Sequence, residues 1–209
     1  MLNAEILSAG GPIVYPLAVC SLVALTLVIE RLIALRTVNI APSEQCKMVR
    51  HFIAQKDITG LERWLSSKET PLHEMLLVLI EHWRLSKSRT ETAARLEEWA
   101  SQKTSDMERG LEALGVISSV APMLGLMGTV LGMVVTFESI QTYGLGNADA
   151  LAGGISQALL TTLIGLTVGV PTLMAHRFLL TVVDGRLLLL QQLATELLDV
   201  LSLLEQGEF

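Results

Sequence analysis

Hydrophobic positions along this chain follow two patterns. In three stretches they are nearly continuous, and elsewhere they recur at helical spacing among charged residues. Ile6 to Ile29, Ala113 to Phe137 and Ala150 to Ala175 contain no Asp, Glu, Lys or Arg. Each reaches the roughly 20 apolar residues that a helix needs to cross a hydrocarbon core. Helices buried in a soluble bundle rarely run so far without a charged face. The pattern predicts an all-α membrane protein with three transmembrane helices, over residues 11–35, 113–137 and 152–176. The first stretch reads as a retained span rather than a signal peptide, because no Lys or Arg precedes Arg31.

The charged segments have the grammar of soluble helices. In "APSEQCKMVRHFIAQ", Pro42 and Ser43 make a helix start, and Met48, Val49, Phe52 and Ile53 recur at helical spacing. "DITGLERWLSS" predicts a shorter helix weakened by Gly60, and "TPLHEMLLVLIEHWRLS" opens on a Thr-Pro start signal. "RTETAARLEEWASQKTSDMERGLEALGVISS" has no proline and predicts one helix that becomes the second span without a break. "RFLLTVVDGRLLLLQQLATELLDVLSLLEQ" continues the third span, its apolar face interrupted only at Asp184, Gly185 and Arg186. Long protruding helices with apolar stripes need partners, so a homo-oligomeric bundle is expected. Trp64, Trp83 and Trp99 are expected in the core of the soluble part. Pro16, Pro122 and Pro171 are expected to kink their spans.

Basic residues orient the chain. All 15 Lys and Arg lie at or after Arg31, and none falls between Glu138 and Asp149. The positive-inside rule therefore puts 1–10 and 138–151 outside, with the helical domain 36–112 and the terminal helix 177–209 inside. Glu30 and Arg31 stand where the first span meets the inner interface and read as anchors to the bilayer surface.

Composition narrows the chemistry. At 17% charged residues, the chain is well below the roughly 25% of a soluble domain. A net charge of -6 with acids and bases mixed offers no basic patch for nucleic acid. Cys20 lies in the first span and Cys46 beyond it, so they do not pair. His51, His73, His82 and His176 lack ligand spacing, and no metal or cofactor is expected. No nucleophile, base and orienting group occur together, so an enzyme is not expected.

The second and third spans carry stripes of small residues. Ser118, Ala121, Gly125, Gly128, Gly132 and Thr136 share one face, with Thr129 at its edge. Gly154, Ala158, Thr162, Gly165, Gly169 and Thr172 share another, with Thr161 beside it. One reading is a packing seam, since small residues let helices approach closely in lipid. The other is that the hydroxyls line a narrow wet path or face a helix of another chain, because Thr can both donate and accept hydrogen bonds. A proton-coupled machine needs an intramembrane ionisable group. Spans two and three hold no Asp, Glu or Lys, so that acid would come from a partner's membrane helix. A standalone transporter would show repeats or a charged substrate site, and neither is visible. A scaffold that only clamps other helices would tolerate loss of the Thr162 hydroxyl.

"APMLGLMGTVLGMVVTF" followed by "GISQALLTTLIGLTVGVP" resembles the ExbB/TolQ/MotA proton-channel family, and "GPIVYPLAVCSLVALTLVIERLIAL" is similar to that family's first span. Within it the chain looks most like the ExbB branch, with TolQ-like and gliding-type stators as alternatives. The resemblance implies a pentamer in the bacterial inner membrane, with residues 1–10 and the 138–151 loop in the periplasm. It implies a single-span partner resembling ExbD or TolR that carries an intramembrane Asp. A TonB- or TolA-like transducer would receive the motion. The family's pore-lining threonines fall on Thr129 and Thr162, with Thr161, Gln157 and Ser118 also assigned to the proton path or the partner-facing surface. Gly125, Gly128, Gly132, Ala158, Gly165 and Gly169 are assigned to helix packing. Where some members carry Glu, this chain has Gln157, which cannot titrate.

Overall fold

A computed structural model describes residues 10–35, 43–66, 70–86, 88–144 and 148–206. All described elements are helical: α1 (Val14–Ala34), α2 (Ser43–Gln55), α3 (Ile58–Leu65), α4 (Pro71–Ser86), α5 (Arg89–Glu108), α6 (Leu111–Tyr143) and α7 (Ala148–Gln206). Three helices, α1, α6 and α7, are long and apolar enough to cross a membrane. The chain divides into two compact units, one from residues before Arg31 with Gly110–Phe178, the other from Arg31–Arg109 with Leu179 onward.

In the first unit large apolar side chains point outward. Tyr15, Val19, Leu22 and Leu25 of α1, Met123, Leu126 and Val130 of α6, and Leu159, Leu163 and Met174 of α7 are exposed. Water would penalise such a surface, whereas hydrocarbon does not. Inside lie Val14, Leu17, Leu111 and Leu114 and, along α6 and α7, a run of small side chains: Ser118, Ala121, Thr136, Ala158, Thr161 and Thr172 are buried. Hydroxyls in these helices bond back to their own backbone, as Thr136 does to the Gly132 carbonyl at 2.9 Å and Thr172 to Val168 at 2.7 Å. That satisfies each hydroxyl without water.

Pro16 stands in the first turn of α1, where its missing N–H would have no helical partner, so that position demands no kink. Pro122 lies inside α6 and leaves the Ser118 carbonyl without its i+4 donor. The connection expected over 138–151 is mostly helix. α6 runs to Tyr143 and closes on Gly144, whose φ of +71° suits glycine, and α7 starts at Ala148.

The second unit is a water-type bundle. Its core holds Val49, Ile53, Leu61, Leu65, Leu72, Met75, Leu76, Leu79 and Ile80 from α2 to α4. α7 contributes Leu190, Leu193, Ala194, Leu197, Leu198 and Leu201 at helical spacing. Asp57 caps α3 by accepting from the Gly60 N–H at 2.8 Å, which offsets the glycine's weak helix propensity. Exposed ion pairs mark neighbours: Arg50 of α2 with Glu196 of α7 at 3.2 Å, Arg84 with Glu62, and Lys103 with Glu74.

Two expectations change here. The helix expected to run unbroken into the second span is interrupted at Arg109 and Gly110, although both keep right-handed helical angles. Glycine in a helix interior costs roughly 1 kcal/mol relative to alanine, which favours a break at that point. The tryptophans are only half-buried: Trp64 stacks on His73 at 4.8 Å between ring centroids, and Trp99 lies under Lys103. Their indoles sit at the rim of the bundle and the core is aliphatic. Pro42 lies outside the described residues.

Candidate functional site: a small-residue seam between two spans

The two stripes meet. α6 and α7 run antiparallel, and their glycines and alanines face each other down the unit. A Cβ added at Gly165 would lie 2.7 Å from the Ala121 carbonyl oxygen and 2.8 Å from the Gly125 Cα. At Gly132 it would lie 2.8 Å from the Ala158 Cβ and 2.9 Å from the Gly154 carbonyl oxygen. At Gly128 it would collide with the Thr161 side chain, and at Gly154 with the Thr136 hydroxyl. Gly169 admits the Pro122 ring, and a Cβ there would sit 3.2 Å from the Ser118 carbonyl oxygen that Pro122 leaves without a helical donor. Only glycine permits so close an approach of two backbones.

The hydroxyls along this seam have different jobs. Thr162, half-buried, donates across the interface to the Gly125 carbonyl at 3.0 Å. In the helical pattern the Gly125 carbonyl also accepts from the Thr129 N–H, so the two threonines share an acceptor. Thr129 is half-buried too, and its hydroxyl bonds the Leu126 carbonyl at 2.6 Å. These two positions keep partial access to their surroundings while fixed by backbone contacts.

Thr161 is different: its side chain is fully enclosed. Its hydroxyl reaches the Gln157 carbonyl at 2.7 Å and the Gly10 carbonyl at 3.1 Å. The hydroxyl proton is shared between, or alternates between, these two carbonyls, and the longer contact ties α7 to the turn that leads into α1. Gln157 lies over the same turn. Its amide nitrogen occupies the space that a side chain at Gly11 would need, and Gly11 adopts φ +71°. Gly11 is thus required twice, for its backbone angle and for the approach of Gln157.

Ser118 is buried, and its hydroxyl donates to the Gly115 carbonyl at 2.7 Å. Glu30 is exposed. Arg31 reaches from the end of α1 to the Met107 carbonyl in the last turn of α5, at a long 3.5 Å. A guanidinium there complements the free carbonyls of a helix C-terminus. The structure thus brings Thr129, Thr162 and the glycines together, and sets Thr161 and Gln157 at the Gly10–Gly11 turn.

His176 had no role in the sequence reading. Its ring packs on Gly115, where a Cβ would sit 3.2 Å from Cε1, at the far end of the seam from Gly132. The signal was available: Thr162, Gly165, Gly169, Thr172 and His176 continue one helical face in steps of three and four.

Among the described residues no group of three or more His, Cys, Asp or Glu could hold a metal ion. Between Ala113 and Phe137, and between Leu151 and Ala175, the spans carry no charged side chain. The fold is that of a helical membrane protein whose central contact is a glycine seam carrying hydroxyls and no acid.

The model of the MotA/TolQ/ExbB proton channel family matches residues 67–192. The chain belongs to that family. It is 29% identical over 177 residues to the biopolymer transport protein exbB1 of Vibrio cholerae, covering 81% of this chain and 75% of that one. It is 28% identical over 186 residues to a putative ExbB homologue of Methanothermobacter thermautotrophicus, covering 88% of this chain and 64% of that one. A shorter match, 44% identical over 75 residues, joins it to ExbB of Helicobacter pylori and covers 36% and 52% of the two chains. The matched residues of the family model include α6 and the seam-forming part of α7.

Proposed function

We propose that this chain is the ExbB-like subunit of an inner-membrane motor driven by the proton-motive force. With an ExbD-like single-span partner it energises TonB-dependent import of iron complexes and similar nutrients across the outer membrane. The observation that carries this reading is the Thr162–Gly125 bond with Thr129 on the same carbonyl. It supplies fixed, partly accessible hydroxyls in spans that hold no acid.

A proton path through such a site needs a titrating carboxyl from elsewhere. An aspartate on the partner's membrane helix provides it, passing protons while the hydroxyls of Thr129 and Thr162 hold it or its water by hydrogen bonds. The outward apolar face of α6 and α7 (Met123, Met127, Val130, Leu159, Leu163) is covered by lipid and by further copies in a pentamer. Residues 1–10 and the 138–151 connection face the periplasm, and residues 36–112 with 177–209 lie in the cytoplasm, in keeping with the placement of basic residues. Glu30 and Arg31 mark the inner interface.

The test is growth of a Thr162→Val strain on medium whose iron is all siderophore- or haem-bound, with expression and insertion monitored. Loss of growth, restored by free iron, supports the ExbB-like reading. Normal growth contradicts it. Detergent sensitivity of the same strain would then assign the chain to envelope maintenance in the manner of TolQ.

A further inference from the structure

The seam ends on a titratable group. His176 lies on the face of α7 that carries Thr162, two helical steps beyond Gly169, and its ring rests against the backbone of Gly115. A Cβ at Gly115 would approach Cε1 to 3.2 Å, Nε2 to 3.3 Å and Nδ1 to 3.8 Å. The Nδ1 atom is shielded from solvent and has no hydrogen-bond partner among the described residues. The ring as a whole is half-buried, so one edge is enclosed and another reachable. A buried polar atom without a partner is a cost that native structures seldom carry without reason.

We infer that His176 is the proton-exchanging group that this chain itself supplies, at the Gly115 end of the α6–α7 seam. The inference rests on the proton-conducting reading above and adds to it. That reading leaves the partner's acid in mid-membrane, with several turns of helix between it and the basic end of the spans. Hydroxyls can relay a proton across that distance through water but cannot store one. Imidazole can, because its ordinary titration falls near neutral pH.

The step balances within the ring. The neutral ring, with its proton on the enclosed Nδ1, takes up a second proton from a hydrated proton at Nε2, on its reachable edge, and becomes imidazolium. It then returns that proton to water from Nε2 and is neutral again, while Nδ1 keeps its proton throughout. The charged groups closest along each packed element are Glu30 at the end of the first unit's part of α1, Glu112 one turn before Gly115, and Arg177 beside His176. All three are exposed.

The experiment uses the purified complex with its single-span partner in liposomes, with proton flux read by an internal pH dye. His176→Gln keeps size and hydrogen bonding but cannot titrate. It should lower flux by about a hundredfold or more, the low end of what positioned acid–base groups contribute, and flatten its dependence over an assay range of about pH 5 to 8. The ring ¹⁵N signal of wild-type His176, followed in the same liposomes, should show proton exchange at the ring across that window. Flux and pH profile unchanged in His176→Gln, with flux lost in Thr162→Val, would overturn the role of His176 and leave the motor reading standing. Unchanged flux in both variants would overturn both. A ring that shows no proton exchange across the window would overturn the exchange role whatever the variant does.

Discussion

The Thr162 hydroxyl donates to the Gly125 carbonyl across the seam at 3.0 Å, whereas Thr167 and Thr172 on the same helix bond back to their own backbone. One interhelical hydrogen bond is worth about 0.5–1.5 kcal/mol. That is too little to hold two membrane helices by itself. The glycine contacts around it do that, which leaves the hydroxyl free to matter for reasons other than stability.

Glycine contacts should therefore dominate stability. Gly165→Ala places a methyl 2.7 Å from the Ala121 carbonyl oxygen, against backbone that cannot yield. Overpacking of this kind costs about 1–3 kcal/mol. Gly153→Ala meets nothing within 4 Å and replaces glycine in a helix, so it should be neutral or stabilising by up to about 1 kcal/mol. Thermal melting of the detergent-solubilised protein compares the two. Equal melting temperatures would mean that the seam does not close as described.

The turn before α1 separates two causes. Gly11→Ala forces an L side chain to φ +71° and drives its methyl into the Gln157 amide. The backbone part alone costs roughly 1–2 kcal/mol. Adding Gln157→Ala should relieve the collision and leave the backbone cost, so the double variant should melt between Gly11→Ala and wild type. A double variant no better than Gly11→Ala would show that Gln157 does not rest on the turn.

Cys46 reports on the water-type unit. Burial pushes its thiol above the usual range, with Arg50 opposing by a smaller amount. Thiolate is the reactive form, and a raised pKa makes it scarcer at any given pH. Alkylation should be slow in the folded protein at neutral pH and rise only as pH climbs past the ordinary thiol range. Denaturant should restore the rate of a free thiol. Fast labelling of the folded chain at neutral pH would contradict the burial.

The spans and their stripes were legible in the sequence because length without charge and steps of three and four are properties of single helices. The division of labour between Thr161 and Thr162 was not. Neighbouring helix positions point about 100° apart, and only the placement of the Gly10–Gly11 turn decides which hydroxyl meets it. Both were assigned to the path or the partner-facing surface. Thr161 proves enclosed, and Thr162 keeps partial access. The break at Arg109–Gly110 was also missed, since a continuous run without proline hides the local cost of one glycine. That α6 runs on to Tyr143 was not legible, because Glu138 and Gln141 mark the end of the apolar run and a helix can outlast its apolar run by a turn or two. His176 lacks ligand spacing to the other histidines, and only its place at the end of the Thr162–Gly169 stripe marks it.

Proton flux tests the central claim most directly. The purified chain alone and its complex with the acid-bearing single-span partner would be placed in separate liposomes under the same pH gradient. The account predicts flux in the complex, loss of that flux in Thr162→Val with melting shifted by no more than about one hydrogen bond's worth, and essentially none from the chain alone. A chain that conducts alone as fast as the complex would contradict the claim that the titrating group in the membrane comes from the partner.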